Sequence, residues 1–180
     1  MRKIASALAL CASVAVLAAC GGSSGVSAAS YVKSVCNAAV TWRNAIVHAG
    51  QKLQSALTST SLPQTKSDYV DFVGVVKTAT GRAADQLSSA GTPSVSNGKS
   101  IASTLVRTFT QAKDSLSRAE SEARAIPTTN KSAFNAGAGK VQTDVRNALA
   151  QMSSVTPANN AQLRSAAAKD PTCKRLASGG

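Results

Sequence analysis

Cysteine is the residue type whose positions say most about chemistry in this chain. The 180-residue sequence has four cysteines, at positions 11, 20, 36 and 173. A pair of cysteines in an exported chain usually forms a disulfide. Cys36 and Cys173 stand near the two ends of the segment that follows the apolar N terminus. We therefore predict a bond between them, with two free buried thiols as the alternative.

Other residue types offer little acid–base or metal chemistry. The chain has one histidine and eight acidic residues. His48 is expected at the rim or surface of a helix, and Glu120 and Glu122, two residues apart, point to different sides of a helix. We therefore predict no catalytic residue, no metal site and no cofactor.

Gly98-Lys99-Ser100 has the residue order found at the end of a phosphate-binding P-loop. That motif also needs a glycine five residues before its Gly-Lys pair and a strand before the loop. Position 93 is proline, and the pattern here predicts no strand. We expect a loop followed by the N terminus of a helix.

The N terminus has the pattern of a secretory signal. Met1-Arg2-Lys3 is basic, and Ile4 to Leu17 is apolar except for two serines. This run is too short for a membrane-spanning helix, which needs about 20 apolar residues. Leu17-Ala18-Ala19-Cys20 resembles the lipobox of bacterial lipoproteins, in which the cysteine receives a diacylglyceryl group and the chain is cut before it. The alternative is an ordinary signal peptide cut near Ala19, which leaves Cys20 free.

These features predict three regions. Residues 1–19 form the signal peptide, residues 20–29 form the lipidated Cys20 and a flexible tether, and residues 30–180 form the folded domain. The tether begins with Gly21-Gly22-Ser23-Ser24-Gly25, and Gly/Ser segments are flexible. The resemblance implies two acyl chains, which suffice for stable membrane attachment.

The charge of the chain narrows the choice of partners. The formal net charge is +12, and removal of Arg2 and Lys3 leaves 18 basic and 8 acidic residues. The bases are spread along the chain and form no run before Lys174-Arg175, whereas nucleic-acid sites concentrate them on one face. We predict no nucleic-acid partner and a diffuse attraction to anionic lipids or wall polymers.

Four segments have apolar residues at alternating steps of three and four, which predicts helices. The rows are Val32, Val35, Ala39, Trp42, Ile46, Ala49, Leu53, Ala56; Tyr69, Val73, Val76, Thr80, Ala83, Leu87, Ala90; Ile101, Leu105, Thr108 or Phe109, Ala112, Leu116, Ala119, Ala123, Ile126; and Phe134, Ala138, Val141, Val145, Ala148, Met152, Val155. Alternation with a period of two is absent over more than a few residues. The chain is therefore predicted to be all-α.

Breaks and caps separate these helices. We expect breaks at Ser61-Leu62-Pro63, Gly91-Thr92-Pro93 and Pro127-Thr128-Thr129-Asn130, with a capping box at Thr65-Lys66-Ser67-Asp68. Thr156-Pro157 is predicted to start a short fifth helix that Asp170-Pro171 ends. The pairs Asp114/Arg118 and Glu120/Arg124 have favourable i,i+4 spacing and are expected on the outer face of the third helix.

Four long helices with short connections predict an antiparallel, up-down-up-down four-helix bundle with a short C-terminal fifth helix. In this topology the fourth helix ends beside the start of the first. Cys36 and Cys173 then meet, so a disulfide joins the N- and C-terminal ends of the domain.

Two glycines in the fourth predicted helix are unfavourable for helix formation. Gly137 and Gly139 lie inside the fourth helical row, where each glycine costs about 1 kcal/mol relative to alanine. Close helix packing is one explanation. The other is a small pocket beside Phe134, Gly137 and Gly139. Trp42, which we expect to pack in the core, is a candidate for ligand stacking.

The whole segment after the leader resembles small, alanine-rich secreted proteins and lipoproteins of high-GC Gram-positive, actinobacterial type. The likeness lies in Leu17-Ala18-Ala19-Cys20, Cys36, residues 92–99 before a helix and residues 171–176. The resemblance implies a location at the outer face of the cytoplasmic membrane. It implies no activity and no site residues.

Two functional hypotheses follow. The first is a non-enzymatic, lipid-anchored envelope protein that acts through contacts with other envelope proteins or with the anionic wall polymer. The second is a carrier that holds a small apolar ligand between its helices, which needs a cavity of about 300 Å³ or more. The sequence indicates neither the partner nor the oligomeric state.

Overall fold

The computed structural model describes residues 25–56, 61–153 and 160–178. Within these ranges the chain forms six α-helices and no strand. The helices are α1 (Ala28–Ala56), α2 (Leu62–Ser89), α3 (Gly98–Ala125), α4 (Lys131–Ser153), α5 (Ala161–Lys169) and α6 (Pro171–Ala177). The all-α prediction is therefore confirmed.

The helices pack around three groups of buried apolar side chains. The far cluster joins α2, α3 and α4 around Val73, Leu116 and Val141. The middle cluster adds α1 and is centred on Leu87, Leu105 and Phe109 with Trp42 against it. The terminal cluster gathers Tyr31, Val32, Ala90, Ala102, Leu163 and Cys173.

The apolar rows of α2, α3 and α4 are largely buried as the sequence predicts, but Tyr69 and Ile101 are only half-buried. Val155, the last residue of the α4 row, lies outside the described residues. Val73, Val76 and Thr80 of α2 are fully buried, as are Ala112 and Leu116 of α3. The sequence pattern allows either Thr108 or Phe109 in the buried row of α3. Phe109 is the buried one, and Thr108 is only half-buried. Thr80 fits this environment because its hydroxyl donates to the Val76 carbonyl oxygen at 2.8 Å.

The row predicted for α1 is partly wrong. Its best-buried residues are Tyr31, Val32, Ala38 and Ala49, whereas Ala39 is only half-buried. The start of α1 packs against α5 and α6 as well as α2. These extra neighbours bury Tyr31 beside Val32, whereas Ala38 rather than Ala39 faces the middle cluster.

The chain before α1 is already part of the fold. The Val26 backbone N–H donates to the Thr92 carbonyl oxygen, and the Ser94 N–H donates to the Val26 carbonyl oxygen, both at 2.8 Å. A Cβ on Gly25 would lie 2.6 Å from Ser94 Oγ, so this close approach requires glycine. The flexible tether predicted through residue 29 therefore extends too far, since residues 25–29 belong to the folded structure.

The disulfide prediction is confirmed. Cys36 in α1 and Cys173 in α6 are bonded, with Cα atoms 5.3 Å apart and a sequence separation of 137. Their bond fastens α6 to the first part of α1. Both ends of the domain therefore lie at the terminal cluster.

The C-terminal segment differs from the prediction. Asn160 caps α5 by accepting hydrogen bonds from the N–H groups of Gln162 and Leu163. The predicted start at Thr156-Pro157 lies outside the described residues. Asp170-Pro171 ends α5 but also begins α6, because the Asp170 carboxylate accepts from the N–H groups of Thr172 and Cys173. A sixth helix was therefore missed.

The start of α2 also differs from the prediction. Ser61 is its N-cap and accepts from the Gln64 N–H, with proline in the first turn. Thr65 is inside the helix, where its hydroxyl donates to the Ser61 carbonyl oxygen. The predicted break at 61–63 is thus the helix start, and the capping box at 65–68 is wrong.

Candidate functional site

Trp42 lies at the side of the middle cluster and is half-buried. Its indole N–H donates to Thr80 Oγ1 at 3.0 Å. Its ring meets Phe109 edge to face, with centroids 5.8 Å apart. These contacts fit the predicted core-packing role, and the partial exposure keeps one part of the indole accessible.

Phe134 and the two glycines of α4 occupy different surroundings from Trp42. Phe134 is buried in the far cluster, edge-on to Tyr69 with centroids 6.3 Å apart. A Cβ on Gly137 would lie 3.3 Å from Ile126 Cγ1, whereas a Cβ on Gly139 would meet no atom within 4 Å. Close packing therefore explains Gly137 only. The cavities described below are lined by other residues, so the pocket beside Phe134, Gly137 and Gly139 stays a prediction.

Glu120 and Glu122 point to different sides of α3, as the sequence predicts. Glu120 accepts hydrogen bonds from Lys77 of α2 and Arg124 of α3. Glu122 pairs with Lys140 of α4. The hydrogen bond from Lys77, followed by that from Arg124, holds the pKa of the Glu120 carboxyl below its usual value. The two carboxylates thus join α3 to different neighbours.

The outer-face pairs predicted on α3 need two corrections. Asp114 lies 3.7 Å from Lys113 rather than pairing with Arg118, whose guanidinium donates to Ser115 Oγ. The Glu120/Arg124 pair does form. Glu120 nevertheless faces α2, because Lys77 binds the other oxygen of the same carboxylate.

The backbone geometry of the turn before α3 explains why residue 98 is glycine, and no phosphate-binding role is needed. Asn97 adopts a left-handed conformation with φ 61°, and the Gly98 N–H donates to the Val95 carbonyl oxygen. A Cβ on Gly98 would overlap the Pro93 carbonyl oxygen. Lys99 and Ser100 are exposed in the first turn of α3. The glycine is therefore required by a tight loop, as the helix N-terminus interpretation expects.

An apolar cavity of about 220 Å³ lies between α1 and α5. Its lining comprises Tyr31, Val32, Val35, Cys36, Leu163, Arg164 and Ala167. Tyr31 is only 1% exposed, and its hydroxyl has no hydrogen-bond partner among the described residues. Burial raises the pKa of this hydroxyl, so it stays protonated. Sequence reasoning missed this place because the contact of α5 with α1 leaves no local pattern.

A wider groove runs along α1 and α2. It is open to solvent and is lined near Val75 by Ala45, Ala49 and Lys52. Val75 is 45% exposed and, with Val47, is one of two exposed large apolar side chains among the described residues. Asp71 and Lys77 lie along the continuation of this groove. His48 is exposed beside it, as predicted for a rim residue.

The described residues also lack two further features. Among them, no group of three or more histidine, cysteine, aspartate or glutamate side chains could hold a metal ion. No helix there is long and apolar enough to cross a membrane. Cys20 and the predicted leader lie outside the described residues.

Comparisons of the chain with models of protein families, with curated proteins and with solved structures find no match.

Proposed function

We propose that the protein is a non-enzymatic lipoprotein, anchored through Cys20 at the outer face of the cell membrane. There it acts through contacts with envelope proteins or the anionic wall polymer. The observation that carries the proposal is the position of Gly25, which is held against Ser94 only five residues after Cys20. A lipid on Cys20 would hold the terminal cluster next to the membrane. A disulfide suits the oxidising conditions outside the cytoplasm.

The proposed topology is an antiparallel, up-down-up-down bundle. Pairs of contacting residues support it for α2 with α3, because their numbers rise along α2 as they fall along α3. Trp42 with Thr80 joins α1 to α2, and Lys77 with Glu120 joins α2 to α3. Contacts further along α2 and α3 follow the same trend, where Gly81 faces Lys113. This arrangement directs the groove at Val75 away from the anchored end.

The proposed contact surface is this groove along α1 and α2. It joins the exposed Val75 to Ala45 and Ala49 in one open apolar strip with a charged border. A contiguous apolar surface with a polar rim is typical of interaction sites. A photocrosslinking residue in place of Val75 should capture a partner in intact cells. Val47 is also exposed, at 51%, and a crosslinker there provides the matched control. Equal capture from both positions would exclude the groove as the contact surface.

The anchor is tested by metabolic labelling with a fatty acid. The parent chain should carry the label and enter the detergent phase, and Cys20→Ala should abolish both. Cys11→Ala is the matched control because it removes a thiol from the predicted leader and should leave labelling unchanged. An unlabelled parent chain that stays in the aqueous phase would exclude the lipoprotein proposal.

The alternative function is a carrier for a small apolar ligand, and the cavity between α1 and α5 favours it. Its volume of about 220 Å³ is below the usual lower bound of about 300 Å³ for ligand pockets, so the ligand would be no larger than a bicyclic aromatic. Ala167→Leu should fill the cavity and weaken binding of 2-naphthol. Ala168→Leu, on the exposed side of α5, should leave binding unchanged. A parent chain that binds no 2-naphthol excludes a carrier of this ligand size.

A further inference from the structure

Six basic side chains surround the terminal cluster. They are Lys33, Lys99, Arg164, Lys169, Lys174 and Arg175, and all six are exposed. Each stands within two residues of a side chain that belongs to the terminal cluster or packs against it. They come from α1, α3, α5 and α6, so bases that are scattered in the sequence meet at one end of the fold.

Acidic residues near the terminal cluster are too few to neutralise the positive charge of these six bases. The segments that build the terminal cluster, residues 25–36, 90–102 and 160–178, contain one acid, Asp170. Its carboxylate is engaged by the N–H groups of Thr172 and Cys173 at 2.8 and 2.9 Å. Because Asp170 serves as a helix cap, it neutralises little of the surrounding positive charge.

The rest of the molecule has a different charge arrangement. The ion pairs between described residues join side chains of α2, α3 and α4, chiefly around Glu120, Glu122 and Asp144. At the terminal cluster, Lys33, Lys99, Lys169, Lys174 and Arg175 have no acid within 4.0 Å in the described part of the chain. Positive charge is therefore concentrated at the end where Gly25 is fixed.

We propose that this basic end docks on anionic lipid headgroups. The inference rests on the proposed anchoring, because a lipid on Cys20 would bring Gly25 and the surrounding bases to the bilayer surface. Basic residues near an anionic leaflet each strengthen binding, and a basic patch commonly supplements an acyl anchor. The end thus sets the orientation of the bundle and presents its opposite end to the envelope.

The test measures partitioning of the full chain, with Cys20→Ser to prevent lipidation, onto vesicles. One vesicle is phosphatidylcholine alone and the other contains phosphatidylglycerol. The leader is present in every variant, so its contribution cancels. Replacing Lys33, Lys99 and Lys174 with glutamine should lower partitioning onto the anionic vesicles by about 100-fold, since each base near the surface contributes about fivefold. Added salt should reduce the difference.

The matched control replaces Lys52, Lys66 and Lys131 with glutamine, which gives the same change in net charge. These lysines lie near the end of α1, the start of α2 and the start of α4, away from the terminal cluster. Their loss should change partitioning by no more than about threefold, because they lie beyond the Debye length from the bilayer. Circular dichroism checks that both triple variants keep the parent's helix content and melting temperature.

Two results would overturn the proposal. Equal losses in the two triple variants would show a diffuse attraction without a docking end. Binding to soluble polyphosphate that depends on Lys33, Lys99 and Lys174, without preference for phosphatidylglycerol vesicles, would show that this end recognises a phosphate polymer rather than a lipid surface. Because the protein in this test is unlipidated, its outcome is independent of the labelling of Cys20.

Discussion

The indole of Trp42 is held by a hydrogen bond to Thr80 and by the edge of Phe109. Trp42→Phe keeps an aromatic ring and removes the N–H donor. Thr80 keeps its own bond to Val76, so this change should lower the free energy of unfolding by only about 1 kcal/mol. Trp42→Ala should cost about 2–3 kcal/mol, less than the 3–5 kcal/mol of a fully buried aromatic. Urea denaturation measures both.

Tryptophan fluorescence gives an independent check, because the chain has one tryptophan. The half-buried indole should emit at wavelengths between those of a core tryptophan and free tryptophan, and should shift to the red on unfolding. Emission equal to that of free tryptophan in the native protein, with no stability loss in Trp42→Ala, would contradict the position of α1 against the middle cluster.

The ion pairs of Glu120 should make the stability of the protein depend on pH. Its pKa is lowered in the folded protein, mainly by the hydrogen bond from Lys77, so the charged carboxylate stabilises the fold. Glu120→Gln should lower the unfolding free energy by about 1–2 kcal/mol at neutral pH. The contribution is fully present above the unfolded pKa of about 4.3. It is lost as pH falls through the lower folded pKa.

Thermal melts of the parent and Glu120→Gln across this pH range test the prediction. Asp114→Asn provides the control, because Asp114 is largely exposed and lies 3.7 Å from its base. A stability difference between parent and Glu120→Gln that stays constant into acid would contradict the ion pair as its cause.

Helix α4 contains two glycines whose replacement by alanine should change its stability differently. Gly139→Ala should stabilise the protein by about 0.5–1 kcal/mol, because alanine favours the helix and its Cβ meets no atom within 4 Å. Gly137→Ala gains the same propensity but presses Cβ to 3.3 Å from Ile126. Its net gain should therefore be smaller or negative. Chemical denaturation of the two single variants gives the difference.

The relative stabilities of Gly139→Ala and Gly137→Ala test the packing around the two glycines. A Gly137→Ala variant that is as stable as Gly139→Ala would show that Ile126 moves away without cost. A Gly139→Ala variant that is destabilised would contradict the open surroundings of that position.

The sequence was a good guide where a helix buries one stripe. The rows of α2, α3 and α4 are such cases, since Val76, Leu116 and Val141 lie where their three–four spacing requires. Heptad spacing reports burial against neighbours on one side of a helix. It therefore predicts these three elements and the side-by-side packing of their faces.

The start of α1 shows why the remainder could not be predicted. Tyr31 and Val32 are buried with Leu163 of α5 and Cys173 of α6, which lie more than 100 residues away in the chain. Such contacts leave no local signature. The cavity at Tyr31 and the gathering of the basic residues depend on the same long-range packing, so both became visible only in the fold.

At the scale of the whole molecule, the disulfide between Cys36 and Cys173 should contribute strongly to stability. Closing a loop of 137 residues stabilises by up to about 5 kcal/mol in the chain-entropy treatment. Replacing both cysteines with serine should lower the unfolding free energy by up to that amount. Hydrogen exchange should accelerate most in α5 and α6, whose main partner outside themselves is α1.

Reduction of the parent chain is the matched comparison, because it opens the same bond without a substitution. Exchange in α4 should respond least, since α4 contributes no described residue to the terminal cluster and packs against α3 and α2. Uniform acceleration across all helices would mean that the terminal cluster does not open separately from the rest.

The placement of the terminal cluster has a consequence for the order of folding. Contacts of α1 with α2, α2 with α3 and α3 with α4 join helices that follow one another, and short loops close quickly. The terminal cluster must wait for residues 160–178, because Leu163 and Cys173 complete it. We expect the far and middle clusters to form while the start of α1 is still unpaired. The last step then closes both ends of the domain together, and oxidation of Cys36 and Cys173 makes that step permanent.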